Sequence, residues 1–217
     1  MTAVLRKIGW VLVAVLALLM FLLASRFFFV DVDATDPTNL FRDLYVNRTV
    51  LLYIHLFPIM VAIIVGPVQF FLRRLTPATR RAEYLPLHRW LGRSYITGAL
   101  IGGVGALPLA FYAVGGFVST VGFGLLAVLM LITTSIAYLR IRAKNESSHK
   151  EWMTRSYALI FAAVTLRLWF PFFQFALGIE EMEAYQATAW MAWVPNLIVA
   201  EIINTHRRRT ESREMAR

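Results

Sequence analysis

Long uncharged, apolar blocks, separated by short clusters of arginine and lysine, constrain this chain more than any other feature. Each block is about 20 residues, the length at which a helix crosses ~30 Å of hydrocarbon. Inside lipid every backbone N–H and C=O must bond within the protein, which favours helices as the spanning elements. Composition agrees: 59% of the 217 residues are apolar and 16% are charged, against about a quarter charged in soluble domains. The chain is therefore expected to be an all-α membrane protein, a six-helix transmembrane bundle.

The blocks predict spans over residues 8–25, 50–72, 95–114, 117–139, 157–177 and 184–203. The first follows Arg6 and Lys7, runs on in apolar character to residue 30, and lacks a small-x-small cleavage site. It reads as an uncleaved anchor rather than a signal peptide. This gives an N-terminal anchor (1–30), an acidic extracytoplasmic loop (31–49), a five-helix core (50–204) and a basic tail (205–217), the tail expected to fray. Thr76-Pro77 suggests the start of a short interfacial helix ending near Tyr84. Gly98, Gly102, Gly103 and Gly105 in the third span let a neighbouring helix approach closely in lipid, and Gly115-Gly116 marks a tight turn.

Eighteen of the twenty-two lysines and arginines fall before the first span, in the loops after the second and fourth, or in the tail. Basic residues of short loops collect on the cytoplasmic side, so both termini are expected there, in a bacterial inner membrane. The same placement explains the net charge of +9 through lipid headgroups and membrane insertion, with no nucleic acid as partner. The partners expected are the bilayer and either further copies of the chain or other membrane proteins. The absence of cysteine excludes disulfides, iron–sulfur clusters, covalent c-type haem and cysteine-held zinc.

Two stretches echo each other: HRWLGRSY (88–95) and HKEWMTRSY (149–157). Aligned on Trp90 and Trp152, Arg93 matches Arg155, Ser94 matches Ser156 and Tyr95 matches Tyr157, while His88 and His149 differ by one place. Interfaces are rich in Trp, Tyr and Arg in any case, but four matches in six positions point to a shared role. Arg93 and Arg155, set at the entry of a helix with first-turn amides beside them, form a candidate site for a lipid phosphate, haem propionates or an acidic substrate.

These stretches, together with GPVQFF (66–71) at the end of the span holding His55 and TLRLWFP (165–171), resemble the bacterial membrane-protein family named domain of unknown function 2306. The resemblance covers roughly residues 49–204. It implies a multi-pass helical fold and no particular reaction.

Charges inside hydrocarbon cost about 2.5 kcal/mol or more and mark functional sites. Arg167 lies ~18 Å beyond Arg155 along a helix, and His55 lies ~8 Å from the outer end of its span. The two are thus expected at similar depth, lining an outward-facing polar pocket with Gln174. The alternative is that Arg167 snorkels outward or bonds carbonyls freed by Pro171. A polar site in a bundle of proline-broken spans suits a ligand-binding, transport or assembly module. The rival class is a b-type electron carrier, in which His88 and His149 would ligate haem b. Both histidines sit near the membrane rim, which speaks against that class. No GxSxG, HExxH or phosphate-cradling loop points to an enzyme, so no catalytic residue is assigned.

Overall fold

The structure, a computed structural model, describes residues 3–25, 46–77 and 80–215. Nearly all of the predicted extracytoplasmic loop, and the apolar continuation of the first span, lie outside the described residues. The described chain is helical, with no strand among these residues. It forms two compact units, Met1–Tyr112 and Ala113–Arg217, and each contains three helical rods.

In the first unit, α1 (Ala3–Ser25) packs against α2 (Thr49–Leu75), which packs against α3 (Arg81–Ala110). From residue 8 onward, helix α1 buries the stripe Ala17, Met20 and Ala24, and leaves Leu12, Leu19 and Leu23 half exposed. An isolated apolar helix with one buried stripe is what lipid permits and water does not. The α2–α3 contact is built on missing side chains. A Cβ at Gly98 would stand 2.6 Å from the Pro58 carbonyl oxygen, and one at Gly105 would stand 3.0 Å from the His55 nitrogen. The glycines thus bring two backbones together, as the sequence suggested.

The second unit holds α4 (Gly116–Arg142), a broken rod and a second broken rod. The first broken rod comprises α5 (Glu146–Ile160), α6 (Ala162–Pro171) and a π-helical turn (Phe172–Ala176); the second comprises α7 (Glu181–Met191) and α8 (Val194–Met215). Gly115, at φ 90°, supplies the left-handed turn before α4. Helix α5 is capped by Asn145, whose side-chain oxygen accepts from the Ser148 amide at 3.0 Å. The buried hydroxyls of Thr134 and Ser156, 2.7 Å apart, join α4 to α5.

Three expectations need correction. The interfacial helix and third span are one helix, α3, which runs unbroken through Pro86. The fifth and sixth spans are not continuous. The fifth breaks at Phe161, and the sixth breaks at Ala192–Trp193, just before Pro195, whose ring nitrogen has no hydrogen to give the preceding turn. The tail is helical to Met215 rather than frayed. Arg208 pairs with Glu151 at 2.7 Å and Ser147 donates to Glu211 at 3.1 Å, so α5 holds the tail in place.

Among the described residues, four rods are long and apolar enough to cross a membrane: Ile8–Ser25, Thr49–Phe70, Gly116–Arg142 and Glu146–Ala176. The others are more polar for visible reasons. In α3 the uncharged part, from residue 95 to 110, is ~24 Å long at 1.5 Å per residue. The α7–α8 rod carries Gln186, Asn196 and Glu201 among its apolar residues.

Candidate functional site

A groove of about 740 Å³ lies within the second unit, between α4, α5 and α8. Helix α8, with Trp193 just before it, forms one wall with two parallel rows at four-residue spacing: Trp193, Leu197, Glu201, Thr205 and Arg209, and beside them Val194, Ile198, Ile202 and His206. Residues four apart share a helix face, which makes the wall a stripe. Leu129 and Thr133 of α4 and Trp152 and Arg155 of α5 complete it. One end is therefore apolar and the other charged.

At the charged end Arg155 donates through Nε and Nη2 to the two carboxylate oxygens of Glu201, the Nη2 bond being 2.9 Å. Glu151 approaches the same guanidinium at 4.0 Å. The Arg155 guanidinium also lies over the Trp152 ring, 4.5 Å from its centre. Two-point pairing and ring stacking both suit a planar guanidinium.

The echoed stretches repeat part of this arrangement. Arg93 lies over Trp90 at 5.7 Å, and Tyr95 and Tyr157 are both buried. The histidines do not match. His149 Nδ1 lies 2.8 Å from the Ala137 carbonyl of the preceding helix, whereas His88 Nδ1 lies 3.1 Å from the Tyr84 hydroxyl on its own helix. One residue of offset turns a helical side chain by about 100°, which accounts for the difference. His88 is also tied to α2 through its carbonyl, which accepts from Gln69 at 2.9 Å. His88 and His149 belong to different units.

Neither arginine stands in a first turn. Helix α3 begins at Arg81 and α5 at Glu146, so Arg93 and Arg155 lie ~18 and ~13 Å along their helices. The proposed help from first-turn amides is therefore missing, and side chains supply the surroundings of Arg155.

His55 and Arg167 also fall in different units. His55 Nδ1 lies 2.8 Å from the Gly102 carbonyl of α3. A carbonyl only accepts, so Nδ1 carries the proton, and in the neutral ring Nε2 holds the lone pair. Arg167 donates through Nη1 to the Ala163 carbonyl one turn back, at 2.9 Å. That is not the carbonyl Pro171 frees, and it lies towards the start of the helix, as side chains tilt. Gln174 lies on the π-helical turn.

Sequence reasoning found Trp152 and Arg155 but missed Leu197, Ile198, Glu201, Ile202, His206 and Arg209. The four-residue spacing from Trp193 to Arg209 was the signal that could have found them.

No curated protein and no solved structure matches the chain. Residues 52–204, well over half of its length, match the family described as predicted membrane protein, domain of unknown function 2306. With its helical, lipid-suited fold, the chain belongs to that family of membrane proteins.

Proposed function

We propose that this protein is a ligand-binding module of the bacterial inner membrane that takes an amphiphilic molecule from the bilayer into the groove of its second unit. Transport or assembly of a larger complex would build on that binding. Both termini and the charged end of the groove then face the cytoplasm, following the arginine-rich connectors. The carrying observation is the groove itself, with apolar walls at Leu129, Leu197 and Ile198 and a charged end at Arg155, Glu201 and Arg209. Such a shape matches a molecule with a hydrocarbon body and a polar head.

The test is mass spectrometry of the full chain, released intact from detergent micelles. A bound amphiphile should survive on the wild type and be lost from Ile198→Trp, which fills the groove. Equal retention by both proteins would refute the proposal.

A second reading, a b-type electron carrier, is favoured by one observation. The Ala137 carbonyl fixes Nδ1 of His149 as the donor, so the neutral ring keeps its lone pair on Nε2, the form an axial ligand needs. A Soret band that shifts on dithionite reduction would support it. A colourless preparation that gains no band on haem addition would remove it.

A further inference from the structure

We infer that the amphiphile is an anionic phospholipid whose phosphate is held by Arg209; this rests on the groove being a ligand site. The argument is one of charge balance. Arg155 is already countered, by Glu201 through two bonds and by Glu151 at 4.0 Å. Arg208 is countered by Glu151 at 2.7 Å. Arg209 lines the same groove, and among the described residues it has no ionic partner. The groove therefore ends in one uncompensated guanidinium, a shape and charge that match phosphate through two parallel bonds.

A free phosphate would have no use for the rest of the site. From Trp193 to Ile202 the groove wall runs ~14 Å at 1.5 Å per residue, and the side chains it gives the groove there, Trp193, Val194, Leu197, Ile198 and Ile202, are apolar apart from Glu201. Acyl chain along the wall and phosphate at the rim use both halves. A zwitterionic lipid brings its own cation to the rim, where Arg209 repels it. A net-anionic headgroup does not. The basic connectors around Arg140 and Arg142 add to this preference through the surface potential.

The experiment uses tryptophan quenching by lipids with brominated acyl chains, added to the full chain in detergent, with Trp193→Phe identifying the signal from the groove. Brominated phosphatidylglycerol should quench saturably, and should bind about tenfold more tightly than brominated phosphatidylcholine, the ratio one charge-assisted pair supplies. Arg209→Gln should abolish that ratio while quenching by phosphatidylcholine persists, and Arg209→Lys should keep part of it. Added salt should narrow the ratio on the wild type, a readout that needs no variant. If both lipids bind equally to the wild type, and Ile198→Arg, which adds no fluorophore, blocks both, the groove holds lipid but the assignment of the headgroup to Arg209 is overturned. If neither lipid quenches Trp193, the groove proposal falls with it. Competition by glycerol phosphate as strong as that by the intact lipid would also overturn the assignment, because the chain would then contribute nothing.

Discussion

The side-chain amide of Asn196 donates to the hydroxyl oxygen of Thr165 across 3.0 Å, from one broken rod to the other. The same nitrogen reaches the Ala158 carbonyl at 3.1 Å and the Ala192 carbonyl at 2.9 Å. Ala158 lies one turn before the break at Phe161, and Ala192 lies in the break between α7 and α8. In lipid a carbonyl released by a helix break has no water to turn to. One amide thus serves the two breaks where they meet.

Asn196→Leu removes these donors at nearly constant volume. We expect it to lower the stability of the second unit by ~1–2 kcal/mol, the cost of orphaned acceptors in a membrane protein. Thermal unfolding of the purified protein measures this. A Tm unchanged from wild type would show that the breaks are satisfied by other means.

The glycine contacts give a second prediction, with an internal control. A Cβ at Gly98 would collide with the backbone oxygen of Pro58, which cannot swing aside, whereas a Cβ at Gly9 meets nothing within 4 Å. Gly98→Ala should therefore destabilise the first unit by about 1–3 kcal/mol. Gly9→Ala should be neutral or stabilising by up to about 1 kcal/mol, since both positions are helical. Equal effects from the two variants would contradict close approach of α2 and α3.

Much of this was written plainly in the chain. Spans are legible because hydrocarbon imposes one crude rule over about 20 residues, and Gly98 to Gly105 announce a close helix contact because little else requires such spacing. Helix breaks were less legible. Pro195 is visible in the sequence, yet the break at Phe161 has no proline near it, and the partner that tolerates it, Asn196, lies 35 positions on. The helical tail was misjudged for the same reason, since its anchor Glu151 sits 57 residues before Arg208. The groove was half legible. Its apolar and charged members follow one spacing along α8, but only the fold says which helices stand across from it.

The tail should prove dependent on Glu151. That carboxylate is mostly buried, touching Arg208 at 2.7 Å and Arg155 at 4.0 Å. Glu151→Gln leaves the shape intact and removes both attractions. Hydrogen exchange of the amides in residues 205–213 should speed up by roughly tenfold, as about 1.4 kcal/mol of local stability is lost. Amides in α4 should be unaffected. Unchanged exchange in the tail would mean that helix propensity alone holds it.

The pairing of Arg155 with Glu201 is geometric as well as ionic, and substitution by lysine separates the two. Lysine keeps the charge but cannot offer two parallel donors to one carboxylate while setting a delocalised cation over the Trp152 ring. If charge alone mattered, Arg155→Lys would resemble wild type. Because the pair is two-pronged and stacked, we expect Arg155→Lys to recover less than half of what Arg155→Ala loses. The absolute loss should stay near ~1 kcal/mol, since about half of the Glu201 side chain is open to solvent and water screens it. The coupling is the sharper test. Arg155→Ala and Glu201→Ala should cost less together than the sum of the two alone, because each single change strands the other's charge at the groove. Strict additivity in thermal unfolding would mean that the two side chains ignore one another in the membrane, and that the charged end of the groove is arranged in some other way.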